Sequence, residues 1–192
     1  MAANVVVKEL NGAGATPTTV TAIRFCTKDM YNPGLTYPIP IPAAGLAYSY
    51  WKTICLDLSD SFTKVNNVRF YSDAAIGWAC GTGGGLFVCT KTTGDKGVPE
   101  ADYDQATGTE GTTGDDMNDD TDGHTYYKAG STNHADPVSV ATLTSGSPMT
   151  VDSGDHEEAE MTKGVVLQGY VNDDATQGDQ ADETLTFKYD EI

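Results

Sequence analysis

The sequence predicts an all-β fold, an antiparallel β-sandwich of jelly-roll or immunoglobulin-like type, and three observations carry that expectation. Ile54, Leu56 and Leu58 alternate strictly with polar residues, and Val68 and Phe70 do so again after a short polar break. Period-two alternation is the pattern of half-buried strands, and no helical periodicity competes with it here. Helix formers are scarce, whereas Thr and Asp are abundant alongside 21 Gly and 8 Pro, the punctuation expected of many short strands.

Taken in chain order, residues 1–20 read as a flexible N-terminal arm. A short apolar run, Val5, Val6 and Val7, precedes the turn-rich NGAGATPTT, and such a segment frays unless something pairs with it. In an assembly the three valines would join a neighbour's sheet edge by strand addition. Residues 21–192 then form a single sandwich domain, opening with Ile23 and Phe25 as alternating core positions. Pro33, Pro38, Pro40 and Pro42 exclude both helix and central strand from residues 31–45, because each removes a donor and fixes φ. That stretch is expected to run extended along an edge.

Residues 48–73 follow as two strands joined by the polar turn Ser59 to Ser61, an expected antiparallel pair. GWACGTGGGLFVCTKT reads as strand, glycine turn and strand, with Gly81 and residues 83–85 providing the backbone freedom. Residues 93–147 form a Gly/Thr/Asp-rich surface excursion with few apolar anchors. Strands resume near Met149, and the clearest late ones are Lys163 to Val171 and Glu183 to Tyr189, separated by an acidic loop. About eight to ten strands and no helix are expected in all.

Composition bounds the function. The formal net charge is −17, from 28 acidic and 11 basic residues. Non-specific nucleic-acid binding needs Lys and Arg to neutralise phosphates, so this balance argues against it. Acidity of this kind favours solubility and opposes self-association. No apolar window is long enough to span a membrane as a helix, and the N-terminus lacks the basic and apolar stretches of a signal peptide. Cys26, Cys55, Cys80 and Cys89 contain no CxxC pair, which sets zinc aside. Buried free thiols are the default, with Cys80 and Cys89 the one pair that a hairpin would bring face to face.

Few constellations point to chemistry. Asn118, Asp120, Asp122 and Gly123 fit the first half of a calcium loop, in which alternate oxygens converge on a hard cation. The second half fails, since Ala129 stands where a bidentate Glu is needed. Calcium is therefore a candidate ligand, and no other cofactor is expected. Trp51 and Trp78, with Tyr126 and Tyr127, are candidates for a sugar-stacking platform, and the competing reading packs the tryptophans in the core. His124, His134 and His156 lie in polar segments at no metal-ligand spacing. GTGGG lacks the GKS or GKT ending of a phosphate loop. Carboxylates are so numerous that picking a catalytic pair among them has no weight.

The order of landmarks RFCTKDMYNPG, YPIPIPAAG, YSYWKTICLDLSDSFTKVNNVRFYSD, GWACGTGGGLFV, ATGTEGTTGDDM and ETLTFKYDE resembles a family of uncharacterised virion structural proteins of tailed phages and related viruses. The resemblance runs from about residue 22 to the end and rests on order and texture, not on any catalytic motif. It implies a β-sandwich accessory component such as a capsid decoration or a head, neck or tail fitting, and it carries over no active-site residues. The expectation is thus a non-enzymatic virion protein, assembled in the host cytoplasm as a homo-oligomer on the major capsid protein or other virion proteins. The alternatives are a carbohydrate- or calcium-dependent attachment module and a hydrolase using loop carboxylates.

Overall fold

A computed structural model describes residues 2–73, 78–90, 103–119, 127 and 135–192. Among these the chain is almost entirely β, built from antiparallel sheets that pack as a sandwich. The strands are β1 (Asn4–Asn11), β2 (Thr16–Thr19), β3 (Leu46–Tyr48), β4 (Lys52–Ser59), β5 (Val65–Ser72), β6 (Gly85–Thr90), β7 (Gly108–Thr109), β8 (Thr113–Gly114), β9 (Val138–Ser139), β10 (Met149–Asp152), β11 (Val165–Asn172) and β12 (Leu185–Glu191). The larger sheet runs β2-β1-β4-β11-β6-β9, with β3 also on β11, and the smaller runs β10-β5-β12.

The expected β4–β5 hairpin does not form. β4 pairs with β1 and β11, while β5 pairs with β10 and β12 in the other sheet. Residues 60–64 therefore cross between the sheets, with Asp60 taking a φ of 66° at the departure. Alternation alone specifies a buried face, not a partner, and here the faces meet across the sandwich. Ile54, Leu56 and Leu58 pack against the same core as Val65, Val68 and Phe70. A bulge at Asn67, φ 52°, shifts the β5 register and lets both Val65 and Val68 point inward despite their odd spacing.

The flexible arm is corrected as well. Residues 4–10 pair along β4, Val5 opposite Leu58, Val6 opposite Asp57 and Val7 opposite Leu56. β2 closes the other edge from Lys8 to Asn11. The physical reason is that Val5 and Val7 alternate toward the core, where they cover apolar surface that a fraying arm would leave wet.

Strands β3 and β4 lie on one edge of β11, interrupted at residues 49–51. The interruption is pinned to β11, where Ser49 N–H donates to Gly169 O at 2.8 Å and Gly169 N–H donates to Ser49 Oγ at 3.0 Å. It turns Tyr50 and Trp51 onto the outer face of the large sheet. A second core forms there from Tyr50, Trp51, Cys89, Ala106, Met117, Tyr127 and Val166.

The surface excursion therefore contributes to cores. Residues 103–119 cover the outer face through Ala106 and Met117, while Val140 and Leu143 enter the inter-sheet core. Gln168 anchors the cover with three bonds, receiving Met117 N–H at 2.8 Å and donating to Ser49 O and Asp115 O, each at 2.7 Å. The approach at Gly114 is close enough that a Cβ there would lie 2.1 Å from Ser49 O.

The proline-bearing segment 31–45 forms no strand. All four cysteines are buried, and none forms a disulfide among the described residues.

Candidate functional site

The residues singled out in the sequence do not converge. Trp51 is buried edge-to-face against the fully buried Tyr127, with ring centroids 5.5 Å apart, and its indole N–H donates to Asp104 O at 2.9 Å. Trp78 lies elsewhere, against Phe25, with its indole N–H on Ala181 O at 2.8 Å. These three do not form one surface platform, because Trp51 and Tyr127 are buried in the cover of the outer face while Trp78 packs against the inter-sheet core. Tyr126 lies outside the described residues.

Asn118 is exposed, and its N–H closes a turn on Asp116 Oδ1 at 2.9 Å. Asp120 and Asp122 lie outside the described residues, so the calcium half-motif is not seen whole. Val5, Val6 and Val7 stand inside the chain's own sheet, as above.

The structure assembles two polar sites that sequence reasoning missed. The first closes one end of the inter-sheet core. On β1 the inward positions run Val5, Val7, Glu9, and on β4 they run Leu58, Leu56, Ile54, Lys52, so each apolar face ends in a charge. Lys52 Nζ donates to Glu9 Oε1 at 2.8 Å, with both side chains almost wholly buried (1% and 2% exposed), and also to Met30 O. Burial pushes the Glu9 carboxyl above its ordinary range despite the pull of Lys52. The alternation itself was the available signal, since a Glu that continues a Val-x-Val series occupies a core position.

The second site joins the two sheets. His156, fully buried, sits between Glu160, 2.6 Å from Nδ1 to Oε1, and Asp152, 3.3 Å from Nε2 to Oδ2. The Nε2–Asp152 approach is an ion-pair contact outside hydrogen-bond geometry. Asp152 also receives N–H bonds from Gly154 at 2.9 Å and Lys163 at 3.1 Å. Burial opposes charging at both groups, and the mutual attraction outweighs it. The imidazole is raised, and the Asp152 carboxyl is lowered to about 2.

The segment carrying these groups bonds to both sheets. Leu58 N–H donates to Glu160 O at 3.0 Å, Thr162 N–H to Leu56 O at 2.9 Å, and His156 and Val65 exchange two backbone bonds at 2.9 Å. The sequence signal was D-x-x-x-H-x-x-x-E. Outside a helix that spacing does not imply proximity, and this segment is not helical. The ring lies between two carboxylates and so ties together the segment that carries all three groups.

A third feature lies on the surface. Tyr31 (40% exposed), Leu35 (73%), Ile41 (38%) and Leu46 (40%) are four of the five exposed large hydrophobic residues in the described structure. All fall within residues 31–46, and no Asp, Glu, Lys or Arg occurs between Asp29 and Lys52. This exposed stretch is free of formal charge on a chain of net charge −17. The neighbouring open cleft, about 410 Å³, is lined by Lys28, Asp29, Tyr50, Gln105, Thr107 and Glu110. Its charges satisfy one another, Lys28 with Glu110 at 2.7 Å and Gln105 with Asp29 at 2.8 Å.

No family model, curated protein or solved structure matches this chain. Function has to be argued from the surfaces themselves.

Proposed function

We propose that the chain is a non-enzymatic structural component of a virus particle, a capsid decoration or accessory protein that adheres through the band at residues 31–46. The observation that carries this reading is that band, apolar and uncharged on an otherwise acidic molecule. Burying apolar surface stabilises a contact by about 25 cal/mol per Å². The surrounding acidic surface opposes packing in other orientations, so the band also selects how the subunit docks. Its prolines keep the segment from pairing as a strand, which restricts it to side-chain contacts and guards against uncontrolled sheet extension. The order of sequence landmarks that resembles virion proteins supports the same reading.

The partner is the major capsid protein or another virion protein, with homo-oligomers formed at the lattice site. Adhesion is by apolar side chains and not by the N-terminal strand, which the chain uses in its own sheet. Mass spectrometry of banded particles from the virus encoding this chain is expected to find it in stoichiometric amount. Leu35→Asp with Ile41→Asp is expected to preserve the circular dichroism of the free protein and to lose it from the particles. Banded particles that lack the wild-type chain, or that retain the double variant fully, would overturn the proposal.

A further inference from the structure

Three polar side chains meet at the end of the inter-sheet core, and their chemistry goes beyond an ion pair. Lys52 Nζ donates to Glu9 Oε1 at 2.8 Å, and Asn11 Nδ2 donates to the same oxygen at 3.5 Å. An amine and a carboxamide are thus gathered on one carboxylate. Strand register brings them together from opposite sides. Glu9 pairs with Ile54 and Leu10 with Thr53, where the β1–β4 pairing ends, and that register continued by one residue would set Asn11 opposite Lys52. Directly opposed residues hold their Cβ atoms about 5 Å apart, within reach of a lysine and an asparagine side chain.

We propose that Lys52 and Asn11 form an intramolecular isopeptide bond, with Glu9 as the proton carrier. Glu9 takes a proton from the Lys52 ammonium, and the neutral Nζ attacks the Asn11 Cγ. The new Nζ–Cγ bond forms and the Cγ–Nδ2 bond breaks. Glu9 passes that proton to the departing Nδ2 and then relays the second Nζ proton to it, so the nitrogen leaves as ammonium and the carboxylate is regenerated. Five nitrogen-bound protons enter the reaction, and five remain, one on the amide and four on ammonium. No oxidant or other reagent is consumed.

The surroundings favour each step. Lys52 and Glu9 are shielded from water, which keeps water from competing with the amine for the carboxamide carbon. Burial raises the Glu9 carboxyl, which favours its taking up a proton. The strands hold the reacting groups together, and oriented intramolecular reactions gain effective molarities of about 10⁵ M or more. The half-buried position of Asn11 leaves ammonium a way out. The bond would tie β1 to β4 at the end where residues 12–15 turn the chain away.

The test is intact mass measured on the denatured full chain, followed by peptide mapping. The expected wild-type result is a mass lighter by one ammonia, with a branched peptide joining the fragments that contain Asn11 and Lys52. Lys52→Arg, Glu9→Gln and Asn11→Ala are each expected to show their full calculated mass. Asn11 is followed by Gly12, and that pair can also lose ammonia by closing on its own backbone as a succinimide. Ammonia loss that persists in Lys52→Arg, or that comes without the branched peptide, would therefore overturn the proposal. So would a wild-type chain of full mass. The branched peptide is sought in the wild type, so the outcome does not depend on whether a variant folds.

Discussion

His156 Nδ1 lies 2.6 Å from Glu160 Oε1 with the imidazole fully buried, and the ring is held by a segment that belongs to neither sheet but bonds to both. On the other side of the ring is Asp152, the last residue of β10. The groups that face this histidine are thus two carboxylates, and the folded state favours its proton.

Stability should accordingly fall on the alkaline side. A histidine whose folded pKa is raised contributes fully below its unfolded value of about 6.5, and the contribution is lost as pH rises through the folded value. Asp152 behaves oppositely, contributing above its unfolded value of about 3.9 and losing that contribution as pH falls toward about 2. Chemical denaturation at a series of pH values is expected to show stability decreasing from pH 6 to 9, and His156→Gln should flatten that slope. An unchanged slope in the variant would refute the assignment.

His156→Ala should destabilise more than a surface change. It leaves Asp152 facing Glu160 without the intervening cation, and breaking a buried pair costs about 3 kcal/mol or more. The midpoint of denaturant unfolding at pH 6 is the measurement.

Gly114→Ala tests the outer cover. Its Cβ would fall 2.1 Å from Ser49 O and close to Tyr50 N, both backbone atoms that cannot turn aside. Overpacking of this kind costs about 1–3 kcal/mol. The expected signature is a red-shifted Trp51 emission with little change in far-ultraviolet circular dichroism, as the cover lifts and the sheets remain.

Gln168→Leu removes the three bonds that the Gln168 side chain makes to Met117 N–H, Asp115 O and Ser49 O. Leaving buried backbone groups unmatched costs about 1–3 kcal/mol each. Amide exchange is expected to accelerate at Met117, with its N–H partner gone, before it accelerates in β12.

Deleting residues 1–20 is expected to abolish folding and not merely assembly. The deletion exposes the edge of β4 from Thr53 to Ser59 and removes Leu10, 1% exposed, together with Val5 and Val7. A truncated chain that remains monomeric with a cooperative melt would contradict this.

Much of the fold was legible because alternation reports burial directly. The segments around Ile54–Leu58, Val165–Tyr170 and Leu185–Tyr189 are strands in the structure. Pairing was less legible, because period two states which face is buried and is silent about what covers it. β4 and β5 therefore read as a hairpin although they belong to facing sheets. β1 was hidden by its Gly- and Thr-rich flank, and the Asn67 bulge broke the pattern that would have extended β5 to Val65.

The polar sites were harder to see. Lys52, Glu9 and Asn11 become neighbours only after β1 and β4 are known to pair, and Asp152, His156 and Glu160 only after their segment is known to fold back. Met117 and Tyr127 are single apolar residues in a polar run, and what makes them core is the uncovered face of a distant strand. The exposed band was the reverse case. Its prolines announced an irregular edge, and only the exposure of Leu35 and Ile41 made it a surface to be used.

The position of β11 has a consequence for how this molecule comes into being. It takes bonds from β3, β4 and β6, so the middle of the larger sheet is supplied by residues 165–172. On a ribosome, β1, β2 and β4 can pair early, as can β6 with β9, but these two groups and β3 cannot be joined until that segment emerges. Folding should consequently be slow and dominated by distant contacts, as topology of this kind dictates. The strong negative charge then gains a second use, keeping the waiting chains apart while they are still open.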